Sequence, residues 1–231
     1  NEGDDWIERG MADGSAGGYF DGFGGDQGVG HDVFIGNTIS DRMDGEGGDD
    51  IMFGNGGQVD RYEGGSGFDW AGFKDDAFGV TADLLLRAFD ATPVPVSNAT
   101  VLARFTSVEG VSGSAHADML SGDDNDANAM ALSGATGSVL THIELIDGLQ
   151  ELLDEVLGVG MGLVDPVTSF AGNILIGGAG SDLLEGRGGN DIIDGDAWLN
   201  VRISVRENAD GTGAEVASYD TMTDLALQER V

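Results

Sequence analysis

Cysteine is absent from this 231-residue chain, proline occurs only three times, and ten lysines and arginines stand against 42 aspartates and glutamates. Each shortage excludes a class of protein. Without thiols there is no disulfide framework, no thiolate zinc site and no cysteine nucleophile, so any stapling has to come from another source. A formal net charge of −32 disfavours a nucleic-acid partner and would by itself push the chain apart. Something cationic should offset it. The apolar stretch from Val156 to Val164 is broken by glycines and shorter than a bilayer span, and no basic segment precedes an apolar one, so neither a membrane span nor a signal peptide is expected. What the chain has in excess is glycine, 41 residues without a three-residue period and with too little proline for collagen. These read as turns.

The turns are periodic. Asp32, Asp41 and Asp50 are nine residues apart, and the ladder continues after one inserted residue at Asp60 and Asp69. GGSGFDWAG and GGAGSDLLE fit GGxGxDxUx, where U is apolar, and GEGGDDIMF and GRGGNDIID depart from it only at the second glycine. The U residues are Ile7, Phe34, Met43, Met52, Tyr62, Ala71, Leu175, Leu184 and Ile193. The xUx triplet predicts a short strand with its middle side chain pointing inward, between turns that glycine allows to be sharp.

A GGxGxD turn presents several backbone carbonyls and one carboxylate, the hard oxygen donors that calcium takes in six- to eightfold coordination. One turn cannot saturate the ion. With two nonamers per coil, turns eighteen residues apart stack, so Asp32 faces Asp50 and Asp50 faces Asp69 on one side, while Asp41 faces Asp60 on the other. The metal set predicted for the first block is Asp5, Gly28, Gly30, Asp32, Asp41, Gly45, Gly48, Asp50, Gly54, Gly57, Asp60, Gly64, Gly67 and Asp69. A second block adds Gly177, Gly178, Gly180, Asp182, Gly186, Gly189 and Asp191. Asp118 belongs to a degenerate repeat in which His116 takes a glycine position. Pairing in-register turns suggests roughly four to seven calcium ions.

In these nonamers the chain resembles the RTX, or hemolysin-type calcium-binding, repeats of secreted bacterial proteins. The resemblance implies a mainly β fold, a parallel β-roll built by calcium, with extracellular localisation and type I secretion. A second resemblance covers most of the chain: DRMDGEGGDDIMFGNGGQVDRYEGGSGFDWAGFKDD and NILIGGAGSDLLEGRGGNDIIDGDAWLNVRISVR are similar to the calcium-repeat region of large bacterial haem peroxidases of the animal type. It implies a peroxide-using parent whose haem lies in a neighbouring domain, because no position here matches that family's haem-ligating or distal residues.

The residues flanking U alternate with the coil. Val33, Ile35, Ile51, Phe53 and Trp70 make one outer face apolar, while Arg42, Asp44, Arg61 and Glu63 make the other charged. The apolar face is expected to be covered by the non-repeat segment or a neighbouring domain.

Along the chain, residues 1–72 read as the first β-roll block and 172–196 as the second. Residues 73–171 read as an insertion with strands at Val80–Leu86 and Val101–Phe105, the degenerate repeat at 108–125, and a helix at 148–157 with its leucines on one face. FTSVEGVSG and LTHIELIDG look like a duplication, both alternating as strands. Residues 197–231 read as a strand at Trp198–Arg206, a turn and a helix starting at Met222, leading to a further domain. The opening NEGDDWIE fits the second half of a nonamer, as if cut from a longer polypeptide.

Catalytic signatures are missing. His31, His116 and His142 are not followed by the glutamate of a zinc-protease helix, no GxSxG elbow occurs, and DDNDANAM lacks the glycine and the final glutamate of an EF-hand. The leading reading is a calcium-folded structural module of a larger secreted protein, not itself an enzyme. The alternatives are a segment of a secreted haem peroxidase and an adhesin or surface-layer repeat.

Overall fold

Each described triplet that follows a ladder residue is a strand, because glycine turns on both sides leave room for only three extended residues. The computed structural model describes residues 6–8, 31–36, 41–45, 47–54, 60–65, 67–86, 101–125, 139–140, 142–157, 170–208 and 213–220. They fall in two units, residues 1–198 and 199–231.

The first unit is a parallel β-roll. Its strands are β1 (Trp6–Glu8), β2 (Val33–Ile35), β3 (Arg42–Asp44), β4 (Ile51–Phe53), β5 (Arg61–Glu63), β6 (Trp70–Gly72) and β7 (Val80–Asp83). There follow β8 (Val101–Leu102), β9 (Arg104–Thr106), β10 (Gly110–Ser112), β11 (Met119–Ser121), β12 (Ile174–Ile176), β13 (Leu183–Glu185) and β14 (Ile192–Asp194). One sheet has the order β14-β12-β10-β6-β4-β2, and the others run β1-β3-β5-β9 and β13-β11-β7-β8. Val33 pairs with Ile51 and Ile51 with Trp70, while Met43 pairs with Tyr62, the register of two nonamers per coil. Residues 73–171, expected as an insertion between two blocks, supply β7 to β11 to these same sheets. Val111 of β10 pairs with Ala71 on one side and Leu175 on the other, so the stack runs through this segment.

The inward column is the core. Phe34, Met43, Met52, Tyr62, Ala71, Val111, Leu120 and Leu175 are buried in one cluster, joined by Phe73 and Phe105 from outside the nonamers. Tyr62 stacks on Phe105 at 5.4 Å and meets Phe73 edge-on at 5.5 Å, so aromatic volume gathers where the column narrows to Ala71. Leu184 is only partly buried against the cluster. Ile193, expected inside, is 43 % exposed, while its neighbour Ile192 is buried. In register with Leu175, Ile193 lies on the last strand of its sheet, and among the described residues no further strand stacks over it.

The outer apolar face is covered progressively. Val33 is 52 % exposed on the edge strand β2, Ile51 is intermediate, and Trp70 is 2 % exposed. Phe68 packs at 5.7 Å from Trp70 and at 6.2 Å from Phe170, which brings the segment before β12 onto this part of the roll. On the charged face, Arg42 donates two hydrogen bonds to Glu63 at 2.9 and 3.0 Å.

The expected helix forms as α1 (Leu149–Leu157), with Leu149 and Leu153 buried. The supposed duplication diverges: FTSVEGVSG gives β9 and β10, but LTHIELIDG turns into a short 3-10 helix at Ile143–Leu145. Both edges of β10 are already taken, by β6 and β12, so the second copy has no place beside the first. In the second unit, β15 (Arg202–Arg206) pairs antiparallel with β16 (Glu215–Asp220). The expected helix from Met222 lies outside the described residues. No described helix is long and apolar enough to cross a membrane.

Candidate metal centres

Each coil begins with an amide that needs an acceptor, and the carboxylate of the next coil supplies it. The N–H of Asp32 donates to Asp50 Oδ1 at 2.8 Å, that of Asp50 to Asp69 Oδ1 at 2.8 Å, and that of Asp41 to Asp60 Oδ1 at 2.9 Å. One oxygen of each carboxylate is thus committed to the stack. The other is turned into the turn: Oδ2 of Asp50, Asp60 and Asp69 are all buried, those of Asp50 and Asp69 lack a hydrogen-bond donor, and that of Asp60 has the Tyr62 hydroxyl beside it. A buried carboxylate oxygen left this way is costly unless a cation meets it.

The surroundings suit calcium. Asp50 Oδ2 and the Gly64 carbonyl converge above Gly45, and Asp69 Oδ2 and the Ser107 carbonyl converge above Gly64. Asp60 Oδ2 and the Tyr62 phenol oxygen share the space above Gly54. A Cβ at Gly45 would collide with the Asp50 carboxylate, so the bare glycine is what leaves this all-oxygen pocket open. Gly67, at φ +134°, brings its backbone against the Gly48 carbonyl in the adjoining turn, an approach and a conformation that other residues resist. In the second block, Asp182 Oδ2 and the Gly195 carbonyl meet above Gly177, and Asp191 Oδ2 lies over Gly186. Gly48, Gly178, Gly180 and Gly189 also have positive φ. Asp5, Gly28, Gly30 and Gly57 lie outside the described residues.

The stack also holds an acid that nonamer spacing does not reveal. Asp69 N–H donates to Glu109 Oε2 at 3.0 Å, so Glu109 takes the ladder place before β10, with Asn173 and Asp191 following before β12 and β14. A usable signal was present, since Glu109-Gly110-Val111 repeats the acid-x-apolar order of Asp-x-U.

At Asp118 and Asp83 the protein supplies its own donors. Asp118 accepts from Val80 N–H at 2.6 Å, from Ser114 N–H at 2.7 Å, and from the Ser114 hydroxyl at 2.9 and 3.1 Å, so both of its oxygens are served. Arg187, in a glycine position at φ +66°, donates to both Asp83 oxygens at 2.6 and 2.8 Å and to the Gly122 carbonyl at 2.6 Å. Among the ladder carboxylates, Asp50 and Asp69 each have a buried Oδ2 without a donor, and Asp60 Oδ2 has the Tyr62 phenol beside it.

Electrostatics point the same way. Burial, with the charges of Asp32, Asp49 and Asp44 adding to it, pushes the Asp50 carboxyl up to about 7. Burial, with Asp41 adding to it, pushes Asp60 to about 7. Asp69 is held well above the carboxylate range by burial and then by Glu109 and Asp50. Without metal, these groups are charged in the unfolded chain from about pH 4 upward, but in the fold Asp50 and Asp60 ionise only near pH 7. Their contribution to stability is full below the unfolded value and is lost as pH rises through the folded one. Circular dichroism in chelator is expected to show more folded chain at pH 5 than at pH 8. Calcium requires the ionised form, so its affinity is expected to rise over the same window with proton release, measurable by calorimetry in buffers of different ionisation enthalpy.

A family model described as the RTX calcium-binding nonapeptide repeat matches the chain in four copies, over residues 26–59 and 169–197. The chain thus carries RTX repeats, calcium-binding structural modules that are not themselves catalytic. Glu109, Asp118 and Arg187 divide accordingly: the first two lie between the matched segments, and Arg187 lies inside the second. Neither a comparison with curated proteins nor one with solved structures finds a match.

Proposed function

We propose that these repeats make the chain a calcium-folded structural module of a larger secreted bacterial protein, with Asp50, Asp60, Asp69 and Glu109 among the principal ligands. The supporting observation is that the buried Oδ2 atoms of Asp50 and Asp69 face backbone carbonyls and have no donor of their own. In low calcium the acidic turns repel and the coils stay loose; outside the cell, calcium supplies the missing attraction and the roll closes. A chain that remains unfolded at low calcium suits export through a type I channel, and catalysis, haem chemistry included, belongs in this reading to a neighbouring domain.

The test is a calcium titration of the chain, followed by far-ultraviolet circular dichroism and hydrodynamic radius. Contraction with gain of β signal is expected as calcium is added. A chain already compact in chelator, and unchanged by calcium, would overturn the proposal.

A further inference from the structure

The position just before each ladder residue forms a second column beside the oxygen turns, and two of the three histidines converge on it. His31, Asp49 and Phe68 precede Asp32, Asp50 and Asp69, and the parallel register stacks them side by side. His142 reaches the same place from the residues leading into the 3-10 turn, 93 positions away from Asp49. One ligand atom from each of His31, Asp49 and His142 lies within 4.8 Å of the others.

The geometry is held from several sides. Phe68 N–H donates to Asp49 Oδ1 at 3.0 Å, which leaves Oδ2 directed at His142 Nδ1, also at 3.0 Å. Asp49 N–H donates to His31 Nδ1 at 2.8 Å, so that nitrogen carries a lone pair and no proton. The two imidazoles meet edge-on, with centroids 4.6 Å apart. His31 is exposed and the His142 side chain is 38 % exposed, against 10 % for Asp49, so the carboxylate is fixed in the floor and the imidazoles are open to solvent.

We propose that His31, Asp49 and His142 form a site for a divalent transition ion of the zinc class, separate from the calcium turns. Two imidazoles and one carboxylate suit zinc, whereas calcium takes an all-oxygen set. Zinc bonds of about 2.0–2.2 Å in near-tetrahedral geometry separate neighbouring ligands by about 3.4 Å, close to the present spacing of His142 and Asp49. Binding replaces the proton shared by His142 and Asp49 and takes the His31 lone pair, while the surface amide of Asp49 turns to water. Water fills the remaining coordination positions. The ion would tie the segment around His142 to the turns before β2 and β4, a staple in a chain that has no cysteine.

The test is zinc binding to the calcium-saturated chain, by competition with a chromophoric chelator. Expected is one zinc ion per chain that excess calcium does not displace, with about a 10–100-fold loss of affinity in H31A/H142A and in Asp49→Asn, and no change in His116→Ala. Circular dichroism in calcium checks that the variants fold. On the unaltered chain, zinc should protect His31 and His142, but not His116, from carbethoxylation read by mass spectrometry. Absence of zinc binding, its displacement by calcium, or equal modification of all three histidines with and without zinc would each overturn the site. Because calcium is saturating throughout, failure here leaves the calcium reading intact, and failure of the calcium titration is read without zinc.

Discussion

Replacing Asp50 with asparagine is expected to shift the chain in chelator toward the folded roll while weakening calcium binding about tenfold or more. The two effects share one cause. Asparagine keeps an amide oxygen for the Asp32 N–H, now 2.8 Å from Asp50 Oδ1, so the stack retains its hydrogen bond. It removes the charge that burial disfavours and that pushes the Asp50 carboxyl up to about 7. Without metal the fold loses a repulsive group and gains stability, most of all at pH 8, where the wild-type carboxylate is ionised. With calcium, the same substitution removes one negative ligand from an all-oxygen site whose affinity depends on ligand charge. The β signal by circular dichroism in chelator and titrations in calcium buffers measure the two arms. A variant destabilised in both conditions would show that Asp50 acts through packing or hydrogen bonding alone.

Phe105→Ala is expected to cost about 3–5 kcal/mol in saturating calcium and to loosen the whole roll. Phe105 comes from the segment between the two matched regions, but its ring stacks on Tyr62 of β5 at 5.4 Å and lies 6.5 Å from Phe73. Truncation leaves a cavity in the middle of the core cluster, where Tyr62, Phe73 and Phe105 are all almost fully buried. Because β10 sits between β6 and β12, the loss should move one cooperative denaturant transition with an unchanged slope. If residues 73–171 were a detachable lid, the variant would instead lose an early, separate transition and leave the repeats in place.

The three-residue strands, their inward column and the coil of two nonamers were legible because every coil repeats the same local chemistry: glycine turn, aspartate, apolar residue. Met43, Met52 and Leu175 are buried for a reason visible in their own nonamers. Ile193 carries the same local signal and is exposed, since burial depends on whether another coil follows, which the nonamer does not encode. Similarly, LTHIELIDG alternates as a strand does, yet it folds as a turn because the sheet edges beside its apparent twin are occupied.

By itself the sequence determined the calcium chemistry and the repeating unit, since both are set within nine residues by side-chain type and glycine placement. Tertiary structure alone decided which carboxylates lack a donor of their own. Asp50 and Asp118 share the Asp-x-U order, although the repeat around Asp118 is degenerate, and it is the fold that lets Ser114 and Val80 serve both Asp118 oxygens while nothing comparable reaches Asp50 Oδ2. It also placed Glu109 next to Asp69 across 40 residues and His142 beside Asp49 across 93. Those pairings depend on how the chain returns to its own stack after leaving the repeat, a property of the closed roll that no single nonamer holds.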